Sequence, residues 1–425
     1  MTGLSTTRKL SYAAGGAAMN LSNLVISQWL FVLWASGGPS SHVSPALFGS
    51  LFMLGRVTDA ITDPLIGYWS DNARYRRGRR IPFIALGLLP FAVVFFLLWV
   101  PPIEGRHWLN AVYIALVIQT YFVLYTIVNT PYVSLLPEIA VEARDRINIS
   151  TLQAVFVMLG TIVFGAMSLV LASGGWRAVG VVVAVVIVAS YLPTVLAIRE
   201  RPTLRHDVEG APSALWPWLR TTLQHRAFLH LVAATSLCWF GLNLALMLVP
   251  FWVQDVLGLP EAAVAKLMAP FLISNILFFG VFNLLAKRFG KYRMFLVTLI
   301  GSGFALPLIA LVGVFELGSP LILSMVAFGV VGAPVAGFLM LPFALLADVV
   351  DDDAKATGRR REAIFFGVQA IFQKTVIGAS ILVFGLLAEN SGATALRTVA
   401  VVAGVACLLG AVAFVGYPLR SVDRR

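Results

Sequence analysis

The sequence predicts an all-α membrane protein of twelve transmembrane helices arranged as two six-helix bundles. Three observations carry this. Of 425 residues, 59% are hydrophobic and 12% charged, and the mean hydropathy is +0.88. Its apolar runs repeatedly reach the ~20 residues that cross a bilayer. The basic residues alternate: of 31 Lys and Arg, 25 fall in the N-terminal segment, alternate loops and the C-terminal segment, four (Arg106, Arg177, Lys266, Arg397) on the other side, and two (Arg56, Lys374) inside spans. By the positive-inside rule both termini are expected in the cytoplasm. Finally, one long polar stretch at 199–227, basic and holding Pro202, Pro212 and Pro217, divides the spans six and six. It reads as a cytoplasmic linker between bundles at 1–198 and 228–425. The net charge of +11 is thus spread over loops on one side of a membrane, which excludes a nucleic-acid partner and makes the lipid bilayer the surrounding medium.

The spans follow in order. The first, about 12–36, comes after a short start with no clear cleavage site, so a removable signal peptide is not expected. The second, 44–69, carries three ionisable residues and runs into the basic loop Arg74–Arg80; the third to sixth are 81–101, 109–136, 150–173 and 178–198. After the linker come 228–256, 263–286, 294–315, 319–347, 364–388 and 394–417. The loop after the second span reads Arg76-Arg77-Gly78-Arg79 and that after the eighth Arg288-Phe289-Gly290-Lys291, an echo that parallel repeats would produce. Cys238 and Cys407 lie in apolar runs and suggest neither a disulfide framework nor a thiolate metal site. The histidines, at 42, 107, 206, 225 and 230, are scattered over loops and span ends. With no catalytic triad, phosphate loop or ATP-binding segment in view, the chain is expected not to be an enzyme, to hold no organic cofactor, and to draw on an ion gradient.

Asp59 and Asp63 are one helical turn apart, and Arg56 sits three residues before the first, so all three share one stripe of the second span. An ionised side chain at the bilayer centre costs roughly 2.5–3.5 kcal/mol on insertion scales. Three on one stripe therefore belong to a protein interior or a water-filled path. Hard cations take oxygen ligands. Pro64 has no N–H and frees the carbonyl of Ala60, and Thr62 and, from the fourth span, Thr126 add hydroxyl oxygens. The competing reading is that Arg56 neutralises one carboxylate in a buried packing pair.

Several segments together resemble the glycoside-pentoside-hexuronide:cation symporters, the melibiose-permease-like branch of the major facilitator superfamily. They are Lys9-Leu-Ser-Tyr12, the Asp59-Ala-Ile-Thr-Asp-Pro-Leu-Ile-Gly67 run with its Arg-Arg-Gly-Arg-Arg-Ile-Pro-Phe loop, Tyr125-Thr126 with Pro131-Tyr132, and Leu346-Ala-Asp-Val-Val-Asp351 followed by Thr357-Gly-Arg-Arg-Arg-Glu-Ala-Ile-Phe-Phe-Gly367. The resemblance covers residues 9 to about 388. It implies the major facilitator fold, alternating access between two halves, and a small-molecule substrate bound near the midplane. It also implies a coupling cation, sodium or proton, at Asp59 and Asp63, which would be the metal ligands for a sodium-type ion, with Thr62 and Thr126 beside them.

The same resemblance implies sugar contacts at Asn20 and Asn129. Family members carry acidic residues there, so the charge-assisted grip on a hydroxyl is replaced by an amide that can still donate and accept. It likewise implies that Lys374 faces the central cavity, against the alternative that its ammonium snorkels to an interface. Gln153, Gln369 and Gln373 are further cavity candidates. Trp29, Trp34, Tyr121, Tyr125 and Trp239 are able to stack on a sugar face, or serve as packing and interfacial anchors. Asp71, Arg77 and Arg79, with Asp348, Asp351, Asp352, Asp353 and Arg359, Arg360, Arg361 in the loop after the tenth span, are candidates for ion pairs that close an inner gate, and Arg56 is grouped with them. The alternative is a solvated loop that only sets topology. The leading expectation is a monomeric cation symporter of a glycoside, sugar or polyol in the cytoplasmic membrane. The second is a carrier of an amphiphile such as a lysolipid on the same fold, since both sugar-gripping carboxylates are amides here. A membrane-embedded enzyme lacks a catalytic set, and a non-transporting sensor lacks appended signalling domains.

Overall fold

The computed structural model describes residues 5–36, 41–73, 75, 78–140, 143–198, 200, 222–314, 318–357, 362–388 and 392–419. Contacts divide the chain into two units, Met1–His206 and Asp207–Arg425. Unit 1 holds α1 (Thr6–Ala13), α2 (Gly15–Ala35), α3 (Pro45–Asn72), α4 (Ile81–Leu97), α5 (Trp108–Ile139), α6 (Ala143–Gly165) and α7 (Met167–Ala197). Unit 2 holds α8 (Arg226–Phe251), which passes into one π turn at Trp252–Val256, then α9 (Val264–Phe289), α10 (Lys291–Leu311), α11 (Pro320–Thr357), α12 (Glu362–Ala388) and α13 (Ala393–Val415). Ten helical segments among the described residues are long and apolar enough to cross a membrane, α1 and α2 counting together as one. The two remaining expected spans are α4, apolar but shorter, and α3, which carries the ionisable stripe at its middle.

Local chemistry sets the helix ends. The Ser44 hydroxyl accepts from the Leu47 N–H at 3.3 Å, and Pro45 follows at the first helical position, so α3 starts there. His107 and His225 cap α5 and α8 through ring nitrogens. Chain reversals at Gly78 (φ 110°) and Gly290 (φ 89°) use a backbone region that side chains disfavour.

The packing of unit 1 is repeated in unit 2. Helix α2 packs on α6 and α7, α3 on α5, and α4 on α5 and α7; in the same serial order α8 packs on α12 and α13, α9 on α11, and α10 on α11 and α13. The loop echo extends to side chains as well. Arg79 pairs with Glu138 near the end of α5, and Lys291 pairs with Asp348 on α11.

Several boundaries differ from expectation. The start of the chain is helical from Thr6, and α1 packs on α6 and α7. The expected fifth span, 150–173, is interrupted after Gly165, while the break before the sixth span falls where the loop was expected, at Gly175 with φ 69° and ψ −173°. Helix α11 continues ten residues beyond the expected 347, because the charged run Asp348–Asp353 finds partners on neighbouring elements. Those aspartates therefore stand on helical turns and not in a loop, with Asp353 buried. Most of the expected linker, residues 201–221, lies outside the described residues.

Candidate functional site

The site grows from the middle of α3. Phe52, Gly55, Arg56, Asp59 and Asp63 follow at helical spacing along one side of a 28-residue helix. Arg56 is 2% exposed and Asp59 is 0% exposed. Burying such charges is costly, and the surroundings offset it point by point. A guanidinium nitrogen of Arg56 lies 4.0 Å from the Asp59 carboxylate. Its Nη2 donates to Asn23 Oδ1 and Ser27 Oγ of α2, each at 3.0 Å. The phenyl rings of Phe52 and Phe122 lie 5.3 and 5.0 Å from its central carbon, so the cation is held between two aromatic faces. Gly55 permits this: a Cβ there would come within 2.3 Å of the Phe122 ring. Asn23 also donates to the Tyr125 hydroxyl, at 2.5 Å.

Helix α5 faces the carboxylates with hydroxyls. Thr126 Oγ1 donates to Asp59 Oδ1 at 2.7 Å, and Thr130 Oγ1 donates to Asp63 Oδ1 at 2.7 Å. Thr62 Oγ1 lies 3.2 Å from Thr126 Oγ1 and donates to the Thr58 carbonyl at 2.9 Å. Pro64 stays within the helix, so the Ala60 carbonyl receives no N–H from it. Two carboxylates, three hydroxyls and a carbonyl make an all-oxygen set, which fits a hard monovalent cation or a proton. No group of three or more His, Cys, Asp or Glu placed to hold a metal ion occurs among the described residues. Asp59 is sealed in against Arg56, whereas Asp63 is half-buried.

The other expected residues are distributed as follows. Asn20 spends both amide hydrogens on α6, at 2.9 Å to the Val157 carbonyl and 2.8 Å to Thr161 Oγ1. Asn129 is buried, donating to the Tyr125 carbonyl at 3.0 Å and accepting from the Tyr191 hydroxyl of α7 at 2.6 Å. Gln153 donates to the Tyr132 hydroxyl at 3.3 Å. Trp34 bonds the Leu98 carbonyl, Trp29 packs against Trp176, Tyr121 and Tyr125 pack on Phe91, and Trp239 packs on Phe338. In unit 2, Lys374 and Gln373 are half-buried on α12, and Gln369 is buried. Of the gating candidates, Arg79 pairs with Glu138 and Asp348 with Lys291, while Asp352 lies 3.3 Å from His225 Nε2. Arg77, Arg360 and the side chain of Asp71 lie outside the described residues.

Sequence reasoning missed Asn23, Ser27, Thr130, Glu138 and Tyr191. Asn20, Asn23 and Ser27 form a polar stripe at helical spacing, and Thr130 stands four residues after Thr126, so spacing alone was able to find those. Glu138 and Tyr191 carried no such signal.

A family profile described as MFS/sugar transport protein matches residues 11–419. The chain belongs to that family. Among relatives, the sodium-dependent lysophosphatidylcholine symporter 1 of Xenopus tropicalis is 26% identical over 99% of this chain and 89% of its own. The isoprimeverose transporter of Lactiplantibacillus pentosus is 24% identical over 91% of this chain and 80% of its own. In fold, the crystal structure of the nucleoside transporter NupG superposes with a TM-score of 0.67 at 15% identity, covering 97% of this chain and 99% of that one.

This member of the MFS/sugar transport family is an all-α, multi-pass integral membrane protein with the major facilitator fold. It is a cation-coupled secondary transporter, as the symporters among its relatives are.

Proposed function

We propose that this transporter moves a glycoside, sugar or related polyol by symport with sodium or a proton, through alternating access across the cytoplasmic membrane, with both termini in the cytoplasm. The observation that carries this reading is the oxygen cluster on α3 and α5, where Thr126 donates to the Asp59 carboxylate and Thr130 to the Asp63 carboxylate one helical turn away. Asp59, Asp63, Thr62 and Thr126 would hold the cation. Arg56 stays with Asp59 and fixes its orientation. Thr126 and Thr130 orient one oxygen of each carboxylate. A ligand shifts an equilibrium only by its differential affinity for two states, so gradient-driven transport needs these groups to bind the ion better in one state than in the other. Substrate contacts within unit 1 are assigned to the polar residues around the cluster, Asn23 and Tyr125 among them. The protein is taken to work as a monomer.

A second reading, an amphiphile such as a lysolipid as cargo, is favoured by one observation. At the positions where sugar carriers grip with acids, Asn20 already spends its amide hydrogens on α6, and Asn129 donates to Tyr125 of its own helix while accepting from Tyr191 of α7. Purified protein in proteoliposomes, given an imposed sodium or proton gradient and a panel of pentosides, hexosides and lysophospholipids, separates the two. Concentrative uptake of a sugar under one gradient supports the first reading and of a lysophospholipid alone the second. Gradient-independent equilibration of every compound refutes both.

A further inference from the structure

Helix α4 starts without a local cap. Arg80 at its N-cap makes no side-chain cap bond, Pro82 has no N–H, and the Phe83 and Ile84 amides bond the Arg80 carbonyl at 3.0 and 3.3 Å. The amides of Arg79, Arg80 and Ile81 remain, and all three donate to the Glu200 carboxylate, at 2.6, 2.8 and 2.6 Å. Three successive N–H groups converging on one anion form a nest at a helix N-terminus, where the backbone dipoles favour negative charge. Gly78 makes the approach possible. Its φ is 110°, and a Cβ there would come within 2.5 Å of the Glu200 carboxyl carbon.

Glu200 stands just beyond the end of α7, at the head of the expected linker. The turn that it holds also directs two side chains. Arg79 and Arg80 both reach Glu138 in the last turn of α5, the latter at 3.0 Å, and Arg80 donates to the Ser134 carbonyl. Unit 2 holds its equivalent turn differently. There Tyr292, just after Gly290, stacks on Phe414 and Tyr417 at 5.1 and 6.2 Å. The Glu200 bonds break if the carboxylate is withdrawn or neutralised.

We propose that Glu200 is a conformational latch on unit 1: carried at the head of the linker, its carboxylate holds the Gly78–Ile81 turn in the one shape that sets Arg79 and Arg80 on Glu138, and withdrawing it releases that turn. The inference does not depend on the cargo. Hydrogen exchange of the full-length protein in detergent micelles tests it. In Glu200→Gln the amides of 79–81 should exchange about tenfold faster, the equivalent of ~1.4 kcal/mol for a lost charge-assisted bond, while those of residues 45–60 on α3 change less than about twofold. Gly78→Ala, which blocks the same contact without touching charge, should give the same local pattern. Glu200→Asp should fall between wild type and Glu200→Gln. The double variant Gly78→Ala/Glu200→Gln should exchange no faster than the faster single one, because both remove one interaction. Three results overturn the latch: unchanged exchange at 79–81 in both Glu200 variants, effects of the two sites that multiply, or a rise spread equally over the whole of unit 1.

Discussion

Neutralising the two carboxylates one at a time should produce one functional defect and two different stabilities. Asp59 and Asp63 sit a turn apart on the same helix, but Asp59 is 0% exposed with Arg56 at 4.0 Å, whereas Asp63 is half-buried. At an effective dielectric of about 20, unit charges that far apart attract by ~4 kcal/mol. Asp59→Asn removes that attraction and leaves the guanidinium buried, with Asn23, Ser27 and two rings as its remaining neighbours. Breaking a buried pair in this way costs ~3–5 kcal/mol, and the bonds to Asn23 and Ser27 put this case near the lower limit, ~3 kcal/mol. Asp63→Asn weakens a charge-assisted bond from Thr130, worth ~1.5 kcal/mol at most in a half-exposed setting. Removing the stranded charge should restore part of the loss, so Arg56→Gln/Asp59→Asn is expected to be more stable than Asp59→Asn alone. Denaturant titration of the purified proteins measures the stabilities, and uptake under sodium and proton gradients measures the coupling. Both single variants should lose concentrative uptake. Equal stability of the two, or no recovery in the double variant, would refute the buried-pair reasoning; full uphill accumulation by either would remove that carboxylate from the coupling site.

Further consequences concern the surroundings of that cluster. If sodium is the coupling ion, saturating it at about 100 times its Kd should stabilise the wild type by ~2.7 kcal/mol in thermal unfolding and leave Asp63→Asn unmoved, and an equal gain in both would place the ion elsewhere. Gly55→Ala drives a methyl into the Phe122 ring and should cost ~1–3 kcal/mol, read as a lower denaturation midpoint. Thr130→Val should weaken ion-dependent uptake while Thr130→Ser retains it, because only the hydroxyl reaches Asp63. Asn129→Ala leaves the buried Tyr191 hydroxyl without its acceptor and should cost ~1–3 kcal/mol; unchanged stability would mean that the amide does not brace α5 against α7.

The membrane class, the paired bundles and the ionisable stripe were all legible before any coordinates, because bilayer insertion and helical spacing act on consecutive residues. The apolar runs marked most of α2 to α13 to within several residues, and the i, i+3, i+7 spacing of Arg56, Asp59 and Asp63 placed them on one side of α3. Boundaries slipped where a long-range partner takes over. Asp348 continues α11 because Lys291 is there to meet it. By contrast, the break between the fifth and sixth spans stands at Gly175, where the loop was expected.

What the sequence by itself determined is local: which segments are apolar enough to span, which side collects the basic loops, and which charges share a helical face. The tertiary structure alone decided who answers those charges. Arg56 took Asp59, two phenyl rings and the polar side of α2; Asp63 took Thr130; Asn20 and Asn129 went to helix bracing; and Glu200 closed α4 from 119 residues away. Each of those choices satisfies a buried polar group with a partner that chain order does not reveal. Burial makes an unpaired donor or charge costly wherever it occurs, and only the packing of one helix on another determines which partner stands within reach.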